Sequence, residues 1–192
     1  TAGTAFIRTL LDDADASTAR TTLGAVAGIV QSTVGTTSAG ASSQGVRATY
    51  LKKVTLASAG LVAEIIAQLK GDGSGVALVS AGVFDDNAGA PGKVIAGYIS
   101  SLDTNALVRA TSVKLNTTYR AVHFPIGAWL AAADYWLAIC LAAGAANIAN
   151  LAYAAGTGTD HAQAQFNQWT DASITTTASD TNDYSIAASI LR

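Results

Sequence analysis

Along most of the chain, hydrophobic and polar residues alternate over short runs, and clusters of Gly, Asp, Asn and Pro separate those runs. From residue 46 to residue 192 the runs recur at fairly even spacing, which is typical of an antiparallel β-sandwich or barrel. Turn signals such as GDGSG at 71–75 and DDNAGAPG at 85–92 mark the connections. We predict strands at 46–56, 61–69, 76–84, 93–100, 107–115, 119–124, 135–142, 147–153 and 184–191, with a weaker one at 165–169.

Two of these runs also fit a helix. LVAEIIAQL at 61–69 places Glu64 and Gln68 four residues apart, where they would share one side of a helix. VALVSAGV at 76–83 is apolar on both faces, so its period does not separate strand from helix. We predict strands from the surrounding pattern, and a helix at 61–69 stays an alternative.

The first 24 residues have a different, helical pattern. In FIRTLLDDADASTARTTLG, residues 6–24, apolar residues recur at helical spacing, and Asp15 is suited to cap a second short helix that ends at Gly24. Burying so few apolar side chains contributes less than ordering about two dozen residues costs in conformational entropy. We therefore expect this α-helical segment to associate with partner copies or another protein through Phe6, Ile7, Leu10, Leu11 and Leu23.

Residues 25–45 are rich in Gly, Ser, Thr and Ala and predict an extended connector. Scattered Val and Ile residues in it would allow packing against symmetry mates, so a flexible linker and a packed shaft both fit. The predicted organisation is a helical element at 1–24, a connector at 25–45 and a β-rich head at 46–192.

Composition narrows the classes of function. Half of the 192 residues are hydrophobic and 12% are charged, which excludes a chain that is disordered throughout. The net charge of -2 argues against a nucleic-acid partner, and no apolar run reaches the ~18 residues of a membrane span, so no membrane insertion is expected. The chain begins with Thr and has no Met, which indicates a processed chain or part of a longer one. The single cysteine, Cys140, has no internal partner and is expected to be a buried apolar residue.

Acidic clusters give the candidate metal sites. Asp85, Asp86 and Asn87 bring three oxygen-bearing side chains together, as Ca²⁺ requires, although the following AGAPG favours a tight hairpin as the explanation. The three aspartates between residues 12 and 15 are better explained by helix ends and capping. We therefore predict no metal, with Asp85–Asn87 as the weak candidate.

The two histidines do not form a recognisable catalytic arrangement. His123 is expected on a half-buried strand, and His161 follows Asp160 in a loop. No nucleophile elbow, phosphate loop or zinc spacing accompanies them. We expect no enzymatic activity, no catalytic residues and no cofactor.

Aromatic and amide residues near the C-terminus suggest a carbohydrate-binding surface. A sugar packs its C–H face on an exposed ring while polar side chains at the rim bind its hydroxyls, and HAQAQFNQWTD at 161–171 offers both kinds of residue. Closure of the core by the same aromatic residues is the alternative. Trp129 and Trp136 are assigned to packing. The candidate ligand-binding residues are Tyr153, Asp160, His161, Gln165, Asn167 and Trp169.

The segment at 6–24 resembles the LLDDADAAAARATLG element of tail-fibre and related appendage proteins of tailed bacteriophages. The resemblance is nearly continuous over about 19 residues, with Ser17 and Thr18 in place of alanines. In those proteins the element precedes trimeric shafts or receptor-binding tips. The resemblance implies a phage virion protein.

Residues 76–141 resemble a jelly-roll module of secreted, surface and phage proteins. The marks are Phe84 to Asn87, followed by Gly89, Pro91 and Gly92, and later the YWLA run at 135–138. The Ala-rich core departs from the usual pattern. Such modules are associated with carbohydrate binding or adhesion, so the resemblance implies an antiparallel jelly-roll β-sandwich head.

Together the resemblances imply a trimeric structural subunit of a virion appendage, a tail fibre or short fibre on the phage particle surface. Expected partners are further copies of the chain, other virion proteins at the N-terminal segment, and a bacterial surface glycan at the head. One alternative is a head fibre, capsid decoration or neck and baseplate protein without receptor binding. A second alternative is a carbohydrate-binding module of a larger enzyme. An apolar patch on the head would favour a structural role, and aromatic residues within a polar rim would favour glycan binding.

Overall fold

The computed structural model describes residues 30–44, 48–71, 76–97, 111–142, 149–156, 161–165, 176–179 and 181–192. The predicted helical element at 1–24, with its five association residues, lies outside them. Within the described residues the chain forms strands that pair antiparallel into two sheets. The prediction of a mainly β fold is confirmed. No helix among these residues has the length and apolar character needed to cross a bilayer.

Sheet A contains seven strands in which β14 and β4 are central. Strand β4 pairs with β14 on one side and with β8 on the other, and β1 pairs along its whole length with β14. Strand β10 continues the sheet beyond the start of β14 and carries β2 and β13. The strands are β1 (Gln31–Gly35), β2 (Ser42–Gln44), β4 (Gly60–Lys70), β8 (Arg120–Leu130), β10 (Asn150–Ala155), β13 (Asn182–Tyr184) and β14 (Ile186–Leu191).

Sheet B also has seven strands, in the order β12-β11-β3-β9-β5-β6, with β7 on the same side of β5 as β6. The long central strand β9 pairs with β3 on one side and β5 on the other. The strands are β3 (Ala48–Leu56), β5 (Val76–Asn87), β6 (Ala90–Gly97), β7 (Thr111–Lys114), β9 (Ala133–Ala142), β11 (His161–Gln165) and β12 (Thr176–Ser179).

The main core lies between the two sheets, because alternate residues of each strand point inward. Sheet A contributes residues such as Ile65 and Phe124, and sheet B contributes Tyr50 and Ile139, all at most 2% exposed. Tyr184 joins the two contributions, with its ring centroid 5.0 Å from that of Tyr50. The apolar run at 61–69 is therefore a strand, as predicted, and the helical alternative is wrong there.

Sheet B is also apolar on its opposite face. A second buried cluster lies there, formed by the residues of β3, β5 and β9 that alternate with the main-core residues. The prediction that Cys140 and Trp136 are packing residues is confirmed, because their side chains belong to this cluster. Its members are Leu51, Phe84, Trp136, Ala138 and Cys140, at 0–2% exposure.

Residues 31–35 and 42–44 are strands, although their sequence predicts a connector. Val34 packs against the main core, and β14 provides β1 with a complete set of pairing partners. At Gly40, a Cβ atom would lie 2.1 Å from the backbone of Tyr153, so only glycine allows this close approach. The small polar residues in this segment fit an edge strand that pairs with the head itself.

A buried lysine connects the two sheets at one end of the core. Lys52 of β3 is 7% exposed, and its ammonium group forms an ion pair with Asp183 and a hydrogen bond with Thr36. It also donates to the carbonyl of Tyr184 at 3.3 Å. Because Thr36 follows β1 and Asp183 lies in β13, this cluster holds sheet A to sheet B.

Candidate ligand and association surfaces

The structure divides the predicted ligand-binding residues between the two sheets. Tyr153 lies in β10 of sheet A, is half-buried, packs against the main core and meets the Tyr184 ring edge-on at 6.3 Å. His161 and Gln165 bound β11 of sheet B, where their backbone pairs with β3. Asp160, Asn167 and Trp169 lie outside the described residues. For Tyr153, packing accounts for the contacts of the ring.

The candidate metal cluster at 85–87 lies in a tight hairpin between β5 and β6. Ala88 and Gly89 both have positive φ, 53° and 88°, as a two-residue type I′ turn requires. Asp85 accepts a hydrogen bond from the backbone N–H of Lys93, and Asp86 accepts one from the backbone N–H of Gly89 at 3.0 Å. The acidic side chains thus close the turn through hydrogen bonds to its own backbone.

Asp86 also organises a charged network on the outer face of sheet B. Its carboxylate accepts a hydrogen bond from the indole N–H of Trp136 at 2.8 Å and lies 3.3 Å from the Lys53 ammonium group. Lys53 in turn lies 3.1 Å from Asp134, which accepts a hydrogen bond from the Thr55 hydroxyl at 2.6 Å. The network borders the second buried cluster and pairs the indole nitrogen of its largest member.

These contacts shift the pKa values of the three charged groups. Burial acts to raise the pKa of Asp86, but the hydrogen bonds from Trp136 and Gly89 and the Lys53 charge outweigh it, so the pKa falls below 3.8. The Thr55 hydroxyl and then Lys53 lower the pKa of Asp134. The pKa of Lys53 is raised above 10.5, mainly by its hydrogen bond with Asp134. Burial acts to lower this pKa, and Asp86 acts to raise it further.

We expect Asp86→Ala to lower the free energy of unfolding at pH 7 by about 1–3 kcal/mol, because it leaves the buried indole N–H of Trp136 without its acceptor. Urea denaturation would measure the loss. Asp134→Ala is the matched control, since it removes a carboxylate from the same lysine but leaves Trp136 paired, and a smaller loss is expected. Equal losses in the two variants would contradict this role of Asp86.

The same network predicts a pH dependence. Carboxylates whose pKa is lower in the folded protein stabilise it above the unfolded pKa, and the contribution is lost as the pH falls through the folded value. Lys53 contributes below its unfolded pKa of 10.5, and its contribution is lost as the pH rises through its higher folded pKa. We expect a plateau in stability between about pH 5 and pH 9.5, with an acid decline that is shallower in Asp86→Ala.

The outer face of sheet A carries a different surface, which we call the Trp129 face. Outward residues on β4 and β8 alternate with core residues, and Trp129 among them is 68% exposed. Leu61 of β4 pairs with Trp129 of β8 on one side and with Leu191 of β14 on the other. The three large apolar side chains therefore lie in one row that runs across three neighbouring strands. The face consists of Trp129, Leu61, Leu191, Ile66 and Pro125.

The assignment of Trp129 to core packing is wrong. The sequence AWLAAADYW does not distinguish Trp129 from Trp136, since each is followed by Leu and flanked by small or apolar residues. On β8 the inward residues alternate without interruption from Val122 to Leu130, so Trp129 faces outward. Alternation with the buried Phe124 and Leu130 was the signal that could have placed Trp129 outside.

Polar groups on this face are paired within the chain. The Nδ1 atom of His123 lies 3.1 Å from Oε1 of Glu64, and His123 is about half exposed. The Gln31 amide donates to the Ser189 hydroxyl at 2.8 Å. Sequence reasoning placed His123 on a strand and missed Glu64, because only the pairing of β4 with β8 brings the two together.

No protein-family model and no curated protein sequence matches the chain. Among solved structures, a clostridial cysteine protease, Cwp84 after propeptide cleavage, matches with a TM-score of 0.57 and 14% identity. The match covers 84% of this chain and 40% of the protease chain, so this chain spans less than half of that protein.

The protease match contradicts the expectation that this chain has no enzymatic role, because the solved structure that shares its fold is an enzyme chain. At 14% identity the similarity shows the fold alone and transfers no catalytic residue. The two-sheet fold of this chain is therefore similar to part of a cysteine protease chain.

Proposed function

We propose that the chain is a trimeric subunit of a phage virion appendage, a tail fibre or short fibre, with a jelly-roll head that adheres to the host surface. The resemblance of residues 6–24 to the appendage element supports the class of protein. The pairing of β1 with β14 supports a mechanical role, because it attaches the segment before the head to the head itself. All five residues of β1 are in register with β14. Val30 and Arg192 extend this pairing through two backbone hydrogen bonds of 2.9 and 3.1 Å.

The strand order supports the jelly-roll assignment. Taking β1, β3, β4, β5, β6, β8, β9 and β14 as the first to eighth strands, sheet A runs first-eighth-third-sixth. Sheet B runs second-seventh-fourth-fifth. This is the order of two interlocked Greek keys in an eight-stranded jelly roll. Strands β10 to β13 would then be an insertion between the last two strands of the roll.

The trimer is tested by the mass of the full chain in light scattering. We expect three times the chain mass of 19.3 kDa for wild type, and a lower mass for the double variant Leu10→Asp and Leu11→Asp, which places charge in the apolar stripe. Thr9→Asp is the matched control, because residue 9 would lie off the apolar stripe of the predicted helix, and it should stay trimeric. A monomeric wild type would contradict the proposal.

Adhesion is tested separately, by binding of the labelled full chain to arrayed bacterial surface glycans. We infer a glycan contact from the amides and aromatic residues at 161–171, so Trp169→Ala should reduce binding while the trimer is retained. Unchanged binding in this variant would exclude the segment as the glycan site. Absence of glycan binding by the wild-type trimer would favour a purely structural virion role.

A second candidate function is an accessory module of a larger enzyme. The structural match to a cysteine protease favours it, because the matched region makes up 40% of the protease chain. The coding sequence upstream and downstream of this chain separates the two proposals. A catalytic domain on the same chain would favour the module, and virion attachment segments would favour the appendage.

A further inference from the structure

The Trp129 face joins an exposed tryptophan to the half-buried Leu61 and Leu191, and none of the three belongs to either buried cluster. Trp129 at 68% has the greatest exposure of the large hydrophobic side chains, ahead of Val30 at 57% and Ile95 at 45%. Leu61 and Leu191 continue its surface across β4 and β14. A monomer that left this row in water would lose the stabilisation that burial provides, so a covering partner is expected.

The polar groups beside the row do not have the arrangement of a sugar site. Glu64 faces His123 within the chain, and Gln31 is bonded to Ser189, so these groups have partners. Leu61, directly opposite Trp129, places an aliphatic side chain where a sugar site would need a polar rim. The surface is suited to apolar protein contact.

The edge of the sheet next to Trp129 is unsuited to adding a strand. β8 has β4 as its described partner, and Pro125 in β8 lacks the N–H that a further strand would require. Gly127 has a φ of 69°, and the pairing of β8 with β4 shifts register close to it. A partner is therefore expected to dock on the face of sheet A and not to extend it.

The position of the first described strand supports a second copy of the chain as the partner. Gln31 pairs with Leu191, and Leu191 and Trp129 both pair with Leu61, so the first described strand begins in the same row as Trp129. If these residues associate as copies, as proposed above, the copies are brought together beside the Trp129 row. The partner closest to hand is a second copy of the same chain.

The size of the face fits one part of a shared interface. Three strand spacings of about 4.8 Å and about eight residues at 3.3 Å each give roughly 400 Å². A standard stable interface buries about 800 Å² on each partner. The face would supply about half of that area.

From these observations we infer that the Trp129 face is a contact between copies of this chain in the proposed trimer, next to the N-terminal association element. This inference rests on the proposed trimer. Trp129 is its central anchor, since tryptophan is enriched among the residues that dominate binding energy.

The test is sedimentation equilibrium of the full chain over a range of concentrations. We expect Trp129→Lys to raise the dissociation constant of the trimer at least tenfold. Ile95→Lys, which places the same charge at an exposed apolar position on β6 of the other sheet, should leave it within twofold. Circular dichroism of both variants would verify that they fold, and Trp129→Ala removes the ring without adding charge.

Four outcomes are separable. A selective effect of both Trp129 variants supports the inference. A trimer that Leu10→Asp with Leu11→Asp dissociates, but that the Trp129 variants leave unchanged, overturns the inference and keeps the proposed function. Equal weakening by Trp129→Lys and Ile95→Lys overturns it, because the effect would then be one of charge. A monomeric wild type overturns both, and leaves the face to the N-terminal segment of the same chain or to another virion protein.

Discussion

Replacing Phe84 by alanine is expected to lower the free energy of unfolding by about 3–5 kcal/mol, the usual cost of removing a fully buried phenylalanine ring. Phe84 is 0% exposed and packs in the second cluster, on the face of sheet B that points away from the main core. Urea denaturation at pH 7 would measure the change. A large loss would show that sheet B contributes to stability through both of its faces.

Ile95→Ala is the matched control for Phe84→Ala, since it removes an exposed apolar side chain from the neighbouring strand β6 and should change stability by no more than about 0.5 kcal/mol. Cys140 reports on the same cluster, because it is the single cysteine of the chain and is buried there. Its thiol should react slowly with an aromatic disulfide in wild type and faster in Phe84→Ala. A loss below about 1 kcal/mol would contradict tight packing of this cluster.

Asp183→Ala is expected to destabilise the fold by about 2–3 kcal/mol, because it leaves the ammonium group of Lys52 buried without its counter-charge. The expected loss of unfolding free energy is smaller than for a fully buried ion pair, because the Asp183 side chain is 36% exposed and solvent screens its charge. Thermal and urea unfolding at neutral pH would measure it. The fragment from residue 31 to residue 36 should also protect its amides less well from hydrogen exchange, because Thr36 loses the same partner.

The double variant Lys52→Met and Asp183→Ala separates the buried charge from the lost contacts. Replacing both members removes the unpaired charge, so the double variant should be more stable than Asp183→Ala alone. If the double variant were as unstable as Asp183→Ala, the loss would come from the hydrogen bond that Thr36 donates to Asp183, which both variants lack, and not from the charge of Lys52.

The two sheets differ in what lies on their outer faces, and this difference bears on function. Sheet B buries apolar residues such as Trp136 on its outer face and closes that face with the Lys53 network. On sheet A, Trp129 is exposed on strand β8, next to Leu61 of β4. Association through the head is therefore expected on sheet A, which carries the most exposed large apolar side chain of the described residues.

Local pattern was sufficient for the strands that form the core. The runs at 61–69 and 135–142 are apolar at alternate or successive positions, and they appear as the long strands β4 and β9. The hairpin at 85–92 is also predicted from local sequence, because its Gly and Pro residues favour a tight turn. These features depend on neighbouring residues, and the mainly β class follows from them.

The fold class, the central strands and the burial of Cys140 and Trp136 thus follow from local sequence pattern. Tertiary structure decided the rest, since the pairing of β1 with β14 joins residues more than 150 positions apart, and no local pattern carries such a contact. Likewise Lys52 is buried only because Asp183 reaches it from the other sheet, and a lone lysine in a strand would be expected in water. Trp129 and Trp136 have similar neighbours, but the outer face of sheet A leaves one exposed and the outer face of sheet B places the other in a buried cluster. Which face of a strand is covered depends on what packs against it, and only the folded chain determines that.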